Sequence, residues 1–239
     1  MPETLEDFLM ARPPTAERPL LGQTVLMVED SRFACEALRM ICQRSGARIR
    51  RADTLKNANR HLRTYRPGIV LIDVGLPDGS GLGLIETLAK SDPPIGVIIA
   101  MSGDDTLADA TVAAGANVFM PKPITSISAF QQMVLAELPK YAQPLGLRAV
   151  ASDEVVPDRI ALRDDLALAA DLLTGTPDEE TVDYAINFLI GLAKSAGDDP
   201  LSDALHNFET TRQVNLRIPE ALADLRHVIE LRLEHEIAV

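Results

Sequence analysis

Short apolar runs alternate with amphipathic stretches between residues 24 and 141. The runs at 24–28, 69–73 and 95–101 are almost continuously apolar, which is typical of parallel strands covered on both faces. Two weaker strands are predicted, an exposed one with alternating polarity at 47–52 and a short one at 116–120. Helical patterns lie between and after them, at 31–45, 54–65, 82–90, 107–114 and 126–141. Five strand–helix units in succession favour an α/β fold with a parallel sheet between layers of helices.

Beyond residue 158 the apolar residues recur at helical spacing and no strand is indicated. The second of four predicted helices opens with Thr176-Pro177-Asp178-Glu179, which predicts a capping box with proline in the first helical position. Four amphipathic helices can close an all-α bundle, which we assign to residues 159–239. The four apolar stripes are Leu162, Leu166, Ala169 and Leu173; Val182, Ile186, Leu189 and Ala193; Leu201, Leu205 and Phe208; and Leu222, Leu225, Ile229 and Leu233.

Proline-containing segments separate these regions. We predict an N-terminal arm over 1–21, an α/β domain over 22–141, a linker over 142–158 and the helical domain over 159–239. Leu5, Phe8 and Leu9 of the arm have the spacing of a short amphipathic helix. We favour the interpretation that this terminus lies on the body of the protein or frays, rather than the interpretation that it is a docking arm.

Composition narrows the class of protein. The chain has 239 residues, 46% hydrophobic and 24% charged, which excludes a disordered or fibrous protein. No apolar run approaches the roughly 18 residues of a membrane span, and residues 1–10 lack the basic region of a secretory signal, so we expect a cytoplasmic protein. Cys35 and Cys42 are seven residues apart on one helical face, which predicts buried thiols rather than a disulfide or zinc site.

Charge is divided unevenly along the chain. Residues 1–149 hold 16 Lys and Arg against 16 Asp and Glu, whereas residues 150–239 hold 7 against 19 and carry the whole net charge of −12. An acidic segment is repelled by phosphate backbones, which argues against nucleic acid as its partner.

Polar residues with complementary chemistry end the predicted strands. The first strand ends in Glu29 and Asp30, the third in Asp73, the fourth in Ser102 and the fifth in Lys122. Because ligands bind at the carboxyl ends of strands in open α/β sheets, we expect these residues to converge on one rim. Clustered carboxylates repel one another unless a cation lies among them, and Mg²⁺ is the cation that prefers oxygen ligands. The lysine ammonium and the serine hydroxyl can each bind a phosphoryl oxygen. The set predicts a carboxylate nucleophile that accepts a phosphoryl group with the help of a metal.

The motifs around these residues resemble the receiver domain of two-component response regulators over residues 22–141. The resemblance rests on VLMVEDS, IVLIDVGLPDGSG, MSG and GANVFMPKP. It implies a flavodoxin-like (βα)5 fold with parallel strand order 2-1-3-4-5. It also implies that a histidine kinase or histidine phosphotransfer protein donates the phosphoryl group.

The resemblance assigns a role to each site residue. Asp73 takes the phosphoacceptor position, and Mg²⁺ is implied at Glu29, Asp30, Asp73 and the backbone carbonyl of Gly75. The hydroxyl and lysine positions are Ser102 and Lys122. Phe119 takes the aromatic switch position. This chain departs from the usual pattern of the family in two places. The segment 102–115 is about two residues shorter than usual. Gly75 has no side chain that would limit the access of water to the acyl phosphate.

The C-terminal helices match no output module that we recognise. Arg226 and Arg232 are isolated in a net acidic helix, whereas a DNA-reading helix needs a basic face. His206 and His227 lack the neighbourhood of a phosphotransfer histidine, and His235 lies in a terminal acidic turn. No constellation for catalysis on an external substrate is present, so we do not expect an enzyme.

Two interpretations of the output are therefore kept. We favour a regulatory protein whose acidic helices bind a downstream protein or form a homodimer. The alternative is a transcription regulator with a divergent DNA-binding domain. A receiver that has lost phosphorylation is disfavoured, because every key position is filled.

The resemblance also suggests a route for switching. A phosphoryl group adds negative charge at the rim, and we expect it to draw Ser102 and Lys122 and to let Phe119 turn inward. The change would then reach the helical domain through the face of the fourth helix, fifth strand and fifth helix, since that face adjoins the linker.

Overall fold

The computed structural model describes residues 13–145, 153–214 and 218–235, without the side chain of His235. The short helix predicted around Leu5, Phe8 and Leu9 and the middle of the linker lie outside these residues. Five strands form one parallel sheet in the order β2-β1-β3-β4-β5, which confirms the predicted order. They are β1 (Thr24–Val28), β2 (Arg48–Ala52), β3 (Ile69–Asp73), β4 (Val97–Ser102) and β5 (Val118–Pro121).

Five helices connect and cover the strands of this α/β domain. The fifth ends four residues before the predicted position, because Leu138 is extended ahead of Pro139. A three-residue 3₁₀ turn, Lys140–Ala142, follows it. The helices are α1 (Arg32–Ser45), α2 (Leu55–Thr64), α3 (Gly81–Ala89), α4 (Ala108–Ala114) and α5 (Ile127–Glu137).

Alternate residues of the strands supply two apolar layers. On β1, Val25 and Met27 belong to the layer with α1 and α5, whereas Leu26 and Val28 belong to the layer with α2 and α3. This period of two, with both sets buried, explains why the central strands are continuously apolar. The thiols of Cys35 and Cys42 are buried in the first layer, as predicted.

Four helices form a separate apolar cluster that we call the helical domain. Its core contains most of the predicted stripe residues and also Phe33 of α1, and the remaining stripe residues are partly buried against it. One cap differs from the prediction: Asp178, not Thr176, caps the second helix, and its carboxylate accepts the Thr181 N–H at 2.8 Å. Aspartate is a stronger N-cap than threonine. The first turn of the helix then holds two further acidic residues, which interact favourably with the helix dipole. The helices are α6 (Arg159–Leu172), α7 (Glu179–Ala196), α8 (Asp199–Gln213) and α9 (Ile218–His235).

The end of the predicted linker packs on the α/β domain. Val155 is buried in the layer with α1 and α5, and its N–H donates to the Thr125 carbonyl at 2.9 Å. Glu154 forms an isolated antiparallel bridge with Ser126. The segment thus brings α6 back along the sheet toward α1.

Within the described part of the chain, none of the helices combines the length and apolarity needed to cross a bilayer.

Candidate functional site

The register of the sheet brings the predicted acids together. Val28 lies beside Ile72 in adjacent parallel strands, so Glu29 and Asp73 stand side by side at the end of the sheet. Asp73 is held close to the following helix because Gly81 packs against its carbonyl oxygen. A Cβ at that glycine would lie 2.2 Å from the oxygen, so glycine is required there.

Lys122 reaches the acids from β5. Its backbone N–H donates to the Ser102 carbonyl at 2.8 Å, which fixes it next to β4. Its Nζ lies 2.6 Å from Glu29 Oε2 and 2.8 Å from Asp73 Oδ2. Burial by itself would lower the pKa of this lysine, but the two carboxylates raise it above its usual range. The ammonium therefore stays charged between them.

Three carboxylates form a buried cluster. Glu29, Asp30 and Asp73 each offer an oxygen within 4.8 Å of the others. Burial raises the pKa of Glu29 well above its ordinary value against the opposing effect of Lys122, and Asp73 and Asp30 raise it further. Burial likewise raises the pKa of Asp30. So much negative charge in one buried place favours a cation at the cluster.

The donor set fits a small divalent cation. Glu29 Oε2 is buried and makes no hydrogen bond of good geometry among the described residues, although it contacts the Lys122 ammonium. Its other oxygen and one oxygen of Asp30 both accept the Ser31 N–H, at 3.2 and 3.1 Å. Hard carboxylate oxygens with spare lone pairs are the ligands that Mg²⁺ prefers.

Gly75 lies at the edge of the cluster in a two-residue hairpin, Gly75–Leu76 with Gly79–Ser80. Its N–H donates to Asp73 Oδ1 at 3.4 Å, and a Cβ placed on it would meet no atom within 4 Å. Its carbonyl as a metal ligand stays a prediction.

Part of the chain matches a known protein family. Residues 25–134 match the family model described as the response regulator receiver domain. These residues form a response regulator receiver domain.

Curated relatives match part of this chain. The KDP operon transcriptional regulatory protein KdpE of Escherichia coli K12 is 29% identical over 99 residues, 41% of this chain and 44% of its own length. The virulence transcriptional regulatory protein PhoP of Salmonella typhimurium 14028s is 33% identical over 101 residues, 41% of this chain and 45% of its own. The chain thus spans less than half the length of these two relatives.

Solved structures also match about half of the chain. A putative response regulator from Chloroflexus aurantiacus is 24% identical with a TM-score of 0.45, covering 48% of this chain and 96% of that chain. The CheX-CheY-BeF3-Mg+2 complex from Borrelia burgdorferi is 24% identical with a TM-score of 0.44, covering 48% of this chain and 89% of that chain.

Ser102 and Phe119 lie in the receiver domain where the sequence placed them. Ser102 is buried at the end of β4, and its Oγ accepts the Asp104 N–H at 3.0 Å. Phe119 is half-buried and packs against the layer with α2 and α3. The switch role of this ring stays a prediction.

The helical domain also contributes to the site, which the sequence did not predict. Tyr184 of α7 donates its hydroxyl to Asp30 Oδ2 at 2.5 Å. A cleft of about 470 Å³ lies between the receiver rim and α7, and its lining includes Asp73, Ser102, Lys122, Glu180, Tyr184 and Asn187. No sequence signal marks Tyr184, because it stands outside the apolar stripe of an ordinary amphipathic helix.

The helical domain packs on α1 and on the loops of the rim, including the hairpin at Gly75 and Leu76. The end of the predicted linker contacts the start of α5, through the Val155 N–H and the Asp153 carbonyl. The predicted route of communication through the face of α4, β5 and α5 stays a prediction.

Proposed function

We propose that this protein is a phosphorelay response regulator in which Asp73 accepts a phosphoryl group from a histidine kinase or a histidine phosphotransfer protein. The observation that carries the proposal is the buried cluster of three carboxylates, two of which contact one lysine ammonium, at the carboxyl ends of β1, β3 and β5. This arrangement supplies a nucleophile, a cation site and a charge partner for the transferred group.

The transfer itself needs little from the protein except position and charge. A carboxylate oxygen of Asp73 attacks the phosphorus of a phosphohistidine, and the new O–P bond forms as the N–P bond breaks. The departing imidazole nitrogen keeps the bonding electrons and takes a proton from solvent. Lys122 Nζ is 2.8 Å from Asp73 Oδ2 and is placed to bind an oxygen of the new acyl phosphate, as the Ser102 hydroxyl is.

Glu29, Asp30 and Asp73, with the Gly75 carbonyl, would hold Mg²⁺. When bound, the ion offsets the charge of the phosphoryl oxygens. Glu29 is fully buried, so its role is to supply negative charge within the site rather than to contact solvent.

Phosphoryl uptake at Asp73 provides the first test. After incubation with a small acyl phosphate, we expect intact-mass analysis of the full chain to show one added phosphoryl group, and only when Mg²⁺ is present. Asp73→Asn removes the nucleophilic oxygen and should show none. Asp109→Asn, an exposed acid in α4, should label like the native chain. Persistent labelling of Asp73→Asn would contradict the assignment.

The output is proposed to be a protein interaction or homodimerisation made by the helical domain. Support comes from its charge, since residues 150–239 carry the net −12 of the chain. We also propose that the protein acts in the cytoplasm and is not an enzyme for an external substrate. The names of KdpE and PhoP describe transcription regulation, but each match covers only 41% of this chain.

DNA binding separates this output from the alternative. We expect the full chain, with or without its phosphoryl group, to give no sequence-specific fluorescence anisotropy change with duplex DNA near 150 mM salt, because acidic helices are repelled by phosphates. A specific shift whose affinity falls steeply with salt would favour the transcription regulator.

A further inference from the structure

Helix α7 crosses the carboxyl edge of the receiver sheet and contacts it at two points. At the first, the Tyr184 hydroxyl donates to Asp30 Oδ2 at 2.5 Å, in the loop that follows β1. At the second, a Cβ on Gly103 would lie 3.3 Å from the Gly191 Cα, in the loop that follows β4. Lys194 strengthens the second contact, since its Nζ donates to the Gly103 carbonyl at 2.9 Å. The axis of α7 therefore runs from β1 toward β4.

The strand order places Asp73 between these two contacts. β3, which ends in Asp73, lies between β1 and β4 in the sheet. Neighbouring strands are about 4.8 Å apart, so two spacings separate β1 from β4. From Tyr184 to Gly191 the helix rises about 10.5 Å, at about 1.5 Å per residue. The two lengths agree, so the middle of this helical segment lies over β3.

Asn187 is the polar side chain of α7 that this geometry places over Asp73. It follows Tyr184 by three residues, and it lines the same cleft as Asp73, Ser102 and Lys122. Its side chain is exposed, and its amide makes no hydrogen bond with the residues that the structure describes. The amide is therefore available to a group that enters the cleft.

The space beneath Asn187 has room for a phosphoryl group and water. Tyr184 spans the distance to the rim with its long side chain, whereas the asparagine side chain is shorter and leaves a gap. A water molecule takes a share of about 30 Å³ in the liquid. A cleft of about 470 Å³ thus holds a phosphoryl group and several water molecules. Because Asp73 is buried on the sheet side of this cleft, a phosphoryl group on it extends toward α7.

We propose that Asn187 is a catalytic residue for hydrolysis of the acyl phosphate at Asp73, so that the helical domain removes the phosphoryl group that the receiver accepts. The inference rests on the proposed function of Asp73. The oxygen of a water molecule attacks phosphorus as the bond between phosphorus and the Asp73 oxygen breaks. Asp73 keeps the bonding electrons and returns to a carboxylate. The product is inorganic phosphate, which keeps one proton of the water while the other passes to solvent.

The direction of attack explains why the residue belongs to α7. In phosphoryl transfer the attacking and leaving oxygens lie roughly in line, and the leaving oxygen here belongs to Asp73 on the sheet. Attack therefore comes from the side that α7 covers. A primary amide suits this task, because its carbonyl accepts a hydrogen bond from water while its NH₂ group donates to a phosphoryl oxygen. Tyr184 is already engaged with Asp30 and is not available for it.

Asn187→Ala tests the assignment through the lifetime of the phosphoryl group. The full chain is labelled with a small acyl phosphate and Mg²⁺, the donor is removed, and intact mass is followed with time. We expect uptake at least equal to that of the native chain and loss about 10- to 100-fold slower, because water is no longer held in line. Asn187→Gln keeps the amide and should retain more of the rate. Asn207→Ala, which removes an exposed amide of α8, should lose the group at the native rate.

Hydroxylamine separates the catalytic role from a change in access to the site. It removes an acyl phosphate by attack on the acyl carbon, so it should act on labelled Asn187→Ala as fast as on the native chain. Equal slowing of both reactions would contradict the catalytic role, since it would mean that the substitution only closes the cleft. If Asn187→Ala takes up the phosphoryl group and loses it at the native rate, the inference is wrong and the proposed function stands. If neither the native chain nor any variant takes up a phosphoryl group, the proposed function itself is wrong.

Discussion

Replacement of Lys122 by methionine is expected to lower the free energy of unfolding by about 3–5 kcal/mol, because it leaves buried carboxylates without their cation. Lys122 Nζ lies within 2.8 Å of both Glu29 and Asp73, and Glu29 is fully buried. Methionine keeps most of the aliphatic stem, so the change isolates the charge. Urea denaturation at neutral pH measures the effect.

A surface lysine provides the control for this prediction. Lys90 is 3.9 Å from Glu86, and its side chain is 80% exposed. Its replacement by methionine should change stability by no more than about 1 kcal/mol, since exposed ion pairs contribute little. Equal effects of the two substitutions would contradict the role given to Lys122.

The loss in free energy of unfolding caused by Lys122→Met should become smaller as the pH falls. Burial raises the pKa of Glu29 above its unfolded value, and loss of Lys122 removes an effect that lowers it. Between the unfolded and folded pKa values the native state binds more protons than the unfolded state. Stability of the variant therefore rises as the pH falls through that window. Mg²⁺ at neutral pH should recover part of the loss, because it supplies the missing positive charge.

Lys122→Met also separates phosphoryl uptake from switching. Asp73 keeps its nucleophilic oxygen, so labelling by a small acyl phosphate should continue. The predicted response of the face of α4, β5 and α5 to the phosphoryl group should be lost, since the lysine no longer binds the new oxygen. Hydrogen exchange over that face in the labelled variant is the measurement.

Phe208→Ala is expected to lower the free energy of unfolding of the helical domain by about 3–5 kcal/mol. Phe208 is 2% exposed in the cluster formed by α6 to α9, and the truncation leaves a cavity there. The sheet layers of the receiver do not include it, so phosphoryl uptake at Asp73 should persist. A second variant, Phe130→Ala, makes the same chemical change in the sheet layer with α1 and α5.

The two phenylalanine variants should have opposite consequences. Phe208→Ala should lose the helical signal of the C-terminal region at lower urea while it keeps Mg²⁺-dependent labelling. Phe130→Ala should lose labelling together with the fold of the sheet. Loss of labelling by Phe208→Ala under conditions where the receiver remains folded would show that the helical domain is needed to build the site rather than to cover it.

The sequence by itself determined the sheet and the convergence of its acidic residues. Continuously apolar runs mark strands buried on both faces, and parallel strands place their carboxyl ends on one edge. For that reason the strand pattern alone assigns Glu29, Asp73 and Lys122 to one rim. The bundle stripes, including that of Leu205 and Phe208, followed from helical periodicity in the same way.

Local competition between neighbouring signals was harder to predict. The predicted capping box placed the cap of α7 at Thr176, whereas the structure uses Asp178. The C-terminal end of α5 depended on the extended residue before Pro139. In each case two local preferences overlapped within three or four residues, and small differences in hydrogen bonding decided between them.

Only the tertiary structure decided how the two parts meet. Tyr184 and Asp30 are 154 positions apart, and Asp165 and Ser31 are 134 apart, so no periodicity or spacing links them. Their contacts depend on where the packed helical domain settles against α1, with Phe33 in its core and Gly103 beneath Gly191. Hydrophobic periodicity specifies which face of a helix is buried, whereas the surface that a finished domain covers is set by shape and charge that exist only after both domains have folded.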